Sequence, residues 1–128
     1  MIPKFRAWHK TWEEMGKVKR IRFDDDGIVT TVLFKGKELG VNEKIDELEL
    51  MQSTGLYDKN GKEIFEGDIV EMAKDVYSDL TYYEIVRHRG GAYRLESNQH
   101  GCELWLRHTN CEVIGNICED PELLEEEE

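Results

Sequence analysis

Histidine and cysteine are the residues here that could most readily do chemistry. His100, Cys102, His108, Cys111 and Cys118 fall close together near the C-terminus, and sets of His and Cys hold zinc tetrahedrally. Their intervals are irregular, however, and no C-x-x-C pair occurs, so no metal centre is expected. Cys102 and Cys118 sit in apolar runs, where a free thiol behaves as a small hydrophobe. Oxygen ligands are a second possibility. Residues 55–72, GLYDKNGKEIFEGDIVEM, place acids among glycines as a calcium loop or phosphate cradle does. Setting Gly61 at the sixth position of a calcium loop puts Leu56 first and Gly67 twelfth, and neither side chain can ligate. A phosphate loop needs G-x-x-x-x-G-K-[ST], which Gly55 to Gly61 does not supply. Asn60-Gly61 is expected instead to form a type I′ hairpin turn with positive φ at both residues. Asp24-Asp25-Asp26-Gly27 reads the same way, as a solvated turn in place of a magnesium site.

General acid–base catalysis would fall to His9, His88, His100 or His108, but no G-x-S-x-G, H-E-x-x-H or H-x-E pattern accompanies them. No catalytic residue and no cofactor is expected. What remains is a basic, aromatic N-terminus: Lys4, Phe5, Arg6, Trp8, Lys10, Trp12, Lys17, Lys19, Arg20 and Arg22. Residues 1–23 hold seven Lys/Arg against two acids, a net of +5, while the rest holds ten against twenty-six, a net of −16. Cations interleaved with aromatics bind single-stranded nucleic acid by neutralising phosphate and stacking bases. They equally hold an acidic protein surface, which is the favoured reading because a chain of net charge −11 repels a phosphate backbone overall. Arg6, Trp8, Lys19 and Arg20 are the expected binding residues. The partner is expected to be a protein, the chain itself included as a homo-oligomer, with nucleic acid as the alternative.

These residues must be positioned by short strands. FRAW, VKRIRF and IVTTVLF alternate in part, and an Asp-Gly turn joins the second to the third. Residues 35–47 read as a polar loop with one helical turn. LELMQS, IVEM, LTYYEIVRH, AYRLE, CELWLR and CEVIGNIC supply further strands, with RGG at 89–91 as another tight hairpin. No window has a helical period, and PELLEEEE offers one helical turn that frays at its acidic end. No apolar run approaches the ~20 residues of a membrane helix, and the opening MIPKFRAWHK lacks the apolar core of a secretory signal. Three cysteines argue against a disulfide framework and fit a reducing cytoplasm. At 128 residues the chain is long enough to bury a core without metals or disulfides. The expected fold is mainly β: an N-terminal β-hairpin subdomain over residues 1–47, a small barrel over 48–118 and an acidic tail over 119–128. Predicted core residues are Phe5, Val18, Ile21, Phe23, Val29, Val32, Leu50, Ile64, Ile69, Val70, Ile85, Leu95, Leu104, Val113 and Ile117.

The run L-M-Q-x-T-G-L-x-D-K-N-G-K-E-I-x-E-G-D-I-V, from Leu50 to Val70, closely resembles the YopX-like family of phage and prophage proteins. K-F-R-A-W at Lys4 to Trp8 resembles its N-terminal signature. Glu112 to Ile117, followed by Pro121-Glu122-Leu123-Leu124, resembles its C-terminal one. The resemblance spans essentially the whole chain. It implies a mainly-β fold with an SH3-like barrel around the G-D-I-V strand, in a phage-encoded protein in the cytoplasm of its bacterial host. The family brings no established activity, catalytic residue or cofactor. This sequence departs from it at His9, where Asp is usual, and at Cys118, where an aromatic is common, so neither looks like a fixed catalytic or ligand position. The expected function is a non-enzymatic interaction module.

Overall fold

A computed structural model describes residues 4–37, 39–73, 79–88, 91–97 and 100–125. Eleven strands run through these residues: β1 (Phe5–His9), β2 (Glu14–Phe23), β3 (Val29–Lys35), β4 (Val41–Lys44), β5 (Leu48–Tyr57), β6 (Glu63–Phe65), β7 (Asp68–Ala73), β8 (Leu80–Arg87), β9 (Tyr93–Glu96), β10 (Gly101–Glu103) and β11 (Glu112–Asn116). One helical turn, α1 (Leu104–Arg107), and 3-10 turns at Ile45–Glu47, His108–Asn110 and Pro121–Leu124 complete the set. The chain is mainly β, as expected. It divides into two compact units, Met1–Gln52 and Ser53–Glu128.

The first unit is an antiparallel sheet in the order β4-β3-β2-β1-β5. Successive side chains on a strand point to opposite faces, and one face of each strand is apolar. Ala7, Val32, Phe34 and Leu48 are buried there, with Val18, Ile21, Val29, Ile45 and Leu50 packed against them. Burial of Phe34 alone contributes about 2–3 kcal/mol. Gly16 makes room for it, because a Cβ at that position would come within 2.6 Å of the Phe34 ring.

Two irregularities set the phase of β2. Val18 pairs with Phe34, but Arg20, not Lys19, pairs with Leu33. One extra residue therefore enters β2, a β-bulge. Strict alternation would have sent Arg20 inward behind Val18; the bulge sends Ile21 inward against Val32 and leaves Lys19, Arg20 and Arg22 exposed. A second shift between Arg22 and Phe23 carries Phe23 out of the core to 60% exposure. That corrects the core assignment of Phe23, and Val29 fills the place across from it.

The second unit holds an antiparallel sheet in the order β10-β9-β8-β7-β11, and its segment Ser53–Tyr57 of β5 pairs with β6. Its core is Ile64, Val70, Met72, Tyr83, Ile85, Leu95, Leu104, Cys111 and Val113. Among the described residues neither sheet closes into a barrel, which corrects the expected closure. Among the described residues the three-residue β10 pairs only with β9, and the chain leaves it through α1. The segment CELWLR is thus a short strand followed by a helical turn, with Leu104 buried and Trp105 and Leu106 exposed. Ile117 is 37% exposed, also against expectation. The Asn116 carboxamide accepts from the N–H groups of Cys118 and Glu119 and turns the chain off the sheet there. The expected loop at 35–47 contains the edge strand β4 before its helical turn. Part of the RGG turn and the last three glutamates lie outside the described residues, as does the fraying expected there. Among the described residues no helix is long and apolar enough to cross a membrane.

Candidate interaction surface

The outward face of the first sheet collects cations that are scattered in sequence. Arg6 pairs with Lys17 across β1–β2, and Lys17 pairs with Lys35 across β2–β3. Three positive side chains therefore stand in a row, on neighbouring strands about 4.8 Å apart. Arg20 follows beside Leu33, and Arg22, Thr31 and Lys44 form a further row across β2, β3 and β4. Like charges directly opposite one another destabilise a sheet. Among the described residues no carboxylate lies within ion-pair distance of Lys17, Lys19, Arg20, Arg22 or Lys44.

All four residues singled out from sequence lie in this sheet. Arg6 and Trp8 are half-buried on β1, with the Arg6 Nη2 3.7 Å from the Met51 Sδ. Lys19 and Arg20 are the two residues of the bulge and are exposed. Lys10 and Trp12 are drawn elsewhere. The Lys10 ammonium donates to the Asp46 carbonyl at 3.0 Å, and the Trp12 ring stacks on His9 at 3.9 Å. Lys35 and Lys44 join the face only through strand pairing, so no local pattern could have pointed to them.

His9 and Cys111 are engaged within the fold. His9 is buried, stacked on Trp12 and edge-on to Phe34. Its Nδ1 accepts the Trp12 backbone N–H at 3.1 Å, so Nε2 carries the proton shared with Glu43 Oε2 at 2.5 Å. Both ring nitrogens are occupied, leaving none to take a proton from a substrate. The His and Cys side chains near the C-terminus do not converge, and among the described residues no three His, Cys, Asp or Glu side chains form a metal-sized cluster. The Cys111 thiol is pushed up to about 12 by burial, with the Asp58 charge adding to the effect, and it donates to the His108 carbonyl. Burial likewise raises the Cys102 thiol.

The acids of the two Gly-containing turns face their own backbone. Asp58 Oδ1 accepts from the N–H groups of Asn60 and Lys62, both at 2.9 Å, and Oδ2 accepts from Val113 N–H at 2.8 Å. Burial pushes this carboxyl upward, but those three N–H groups and the Lys62 ammonium outweigh it and hold it below the ordinary value. Gly61 has φ 82°, whereas Asn60 has negative φ. The turn is therefore not type I′, as expected from Asn-Gly, but a type I turn closed by a left-handed glycine, with Gly61 N–H on the Asp58 carbonyl. Asp24 repeats the device, its Oδ1 accepting from Asp26 and Ile28.

The second unit mirrors the first with opposite sign. In its sheet Glu71 stands directly across from Glu112, and Glu84 directly across from Glu96, while Ile69, paired with Glu84 on the same face, is fully buried. Arg94 bridges Glu96 and Glu103, at 2.8 and 2.7 Å. Burial raises the Glu84 carboxyl.

The family model described as "YopX protein" matches residues 4–125. The chain belongs to the YopX family. A crystal structure of protein EF1440 from Enterococcus faecalis is 34% identical, with a TM-score of 0.72 over 98% of this chain and 99% of that one. Protein yopX from Bacillus subtilis shares 20% identity and a TM-score of 0.64, over 98% of each chain, which shows a common fold. No functionally curated protein matches. Within this YopX chain, the residues that carried the resemblance include turn devices: Asp58 and Gly61, Gly67 with φ 87°, and Asn116.

Proposed function

We propose that this YopX-family protein is a non-enzymatic interaction module of phage or prophage origin, acting in the host cytoplasm. The basic face of its first sheet receives an acidic protein surface. The observation that carries this reading is the exposed set Lys17, Lys19, Arg20, Arg22, Lys35 and Lys44, gathered on β2, β3 and β4 by strand pairing. Like charges held side by side gain most when an anionic surface covers them. The engaged nitrogens of His9, the raised Cys111 thiol and the turn-bound Asp24 and Asp58 support a role without catalysis. An SH3-like arrangement of the second unit is supported by the strand order β11-β7-β8-β9-β10, with a short helical turn before the last strand.

The test is a fluorescence-anisotropy titration with a labelled polyglutamate peptide and, separately, a labelled oligothymidylate. Salt-sensitive binding of polyglutamate that is lost in Lys17→Glu/Arg20→Glu/Arg22→Glu is expected. Binding of the oligonucleotide alone, with a steep salt slope, would transfer the surface to nucleic acid. No binding of either would remove the reading.

A further inference from the structure

We infer that the acidic surface received by the basic sheet face belongs to a second copy of this chain, namely the outward face of its second unit; this rests on the reading proposed above. Both sheets place like charges directly opposite one another, with opposite sign. The first has the exposed Lys17 across from Lys35 with Arg20, Arg22 and Lys44 beside them, and the second has Glu71 across from Glu112, with Glu96 across from a Glu84 that is partly buried. The two arrangements are of opposite sign and electrostatically complementary. Glu112 and Glu96 keep side-chain exposures of 40% and 36%, so both remain reachable. Among the described residues Arg94 and His88 counter Glu96, Lys59 sits 3.8 Å from Glu112, to which Asn60 Nδ2 also donates at 3.2 Å, and Glu71 has no ion pair. The strand spacing of about 4.8 Å is common to both sheets, so ladders of opposite charge can be laid against each other with matching pitch.

The contact is weak. Four strands of five to six residues present a face on the order of 400 Å², about half the area a stable complex buries on each partner. The two faces are also different surfaces, so the association is head-to-tail, and a copy bound through one face still offers the other. Mass should therefore grow past the dimer with concentration. Salt should abolish it, because the Debye length falls from about 30 Å at 0.01 M to about 3 Å at 1 M.

Sedimentation equilibrium of the full chain at low and high salt tests this, using two charge-reversed variants. One is Lys17→Glu/Arg20→Glu/Arg22→Glu and the other Glu71→Lys/Glu112→Lys, each checked for native circular dichroism and replaced by its Gln counterpart if misfolded. The wild type should associate at low salt, with a weight-average mass beyond the dimer at high concentration, and be monomeric at high salt. Each variant should stay monomeric alone. Their mixture should associate through faces of opposite sign, at least tenfold more tightly than either variant self-associates. A wild type that stays monomeric at low salt, or variants that do not associate when mixed, would overturn the inference. If polyglutamate binding persists in that case, the acidic partner is another protein and the proposed function stands. If it is lost as well, both fall.

Discussion

Replacing Asp58 with Ala removes three hydrogen-bond acceptances at once. Two of the donors, Asn60 and Lys62, are exposed and can turn to water. The third, the N–H of Val113, is buried beneath the turn at 2.8 Å from Oδ2. An orphaned buried donor costs about 1–3 kcal/mol, and each bond to a charged acceptor is worth about 1.5–3 kcal/mol when intact. These terms are not additive, and a net loss of about 3 kcal/mol is expected. At this chain length that is a fall in Tm of about 10 °C. Asp24→Ala is the internal control. The same turn geometry is built there, but both donors, Asp26 and Ile28, are exposed, so the loss should stay near 1 kcal/mol. Asp58→Asn should fall close to Asp58→Ala, because one donor–acceptor face becomes donor–donor whichever way the amide turns. Because the Asp58 carboxyl is held below its ordinary value, its contribution is present above about pH 4 and lost as pH falls through the lowered value. Thermal melts of wild type and the three variants at pH 7 and pH 2.5 provide the assay. Equal losses for Asp58→Ala and Asp24→Ala, or a difference that does not narrow as pH falls, would refute the assignment of Asp58 as the anchor between turn and strand.

Three further outcomes follow from the same geometry. Glu84→Gln should raise Tm at pH 7, because burial disfavours the ionised carboxyl, and the gain should vanish below about pH 4, where Glu84 is protonated in both states; a lower Tm at pH 7 would contradict it. Gly16→Ala should cost about 2 kcal/mol or more, since the new methyl meets both the Phe34 ring and the Lys35 carbonyl at under 3 Å, and a denaturant titration reads this directly. Cys111 should resist iodoacetamide at pH 8 in the folded chain, because its thiol lies near 12, and react once urea unfolds it; mass spectrometry of the labelled peptide decides.

Much of this architecture is legible before any coordinates. β1, β2, β3, β7, β8, β9 and β11 coincide with runs whose alternation or β-branched content marks them, and Asp-Gly and Asn-Gly mark hairpins. Turn type was harder to read, because the Asp58 side chain decides it by holding Asn60 and Lys62, and an Asn-Gly pair does not reveal that partner. The phase of β2 was legible in its outcome, with Val18 and Ile21 expected inside and Arg20 on the surface. The bulge that reconciles V-K-R-I with that outcome is set by how Ile21 meets Val32 and cannot be read from the run alone. LWLR looks like a strand because its residues suit one, yet it turns helical after a β10 only three residues long. For the candidate surface, Arg6, Trp8, Lys19 and Arg20 could be picked out as a local cluster. Lys35 and Lys44 could not, since strand pairing alone brings them beside Lys17 and Arg22. The opposed glutamate pairs of the second unit were invisible for the same reason.

The most direct test of the basic face is a two-dimensional amide NMR titration of the labelled chain with polyglutamate at low salt. Shifts concentrated at Lys17, Lys19, Arg20, Arg22, Lys35 and Lys44, and reversed by added salt, are the predicted result. Shifts spread evenly over both units, or confined to residues away from β2, β3 and β4, would contradict it.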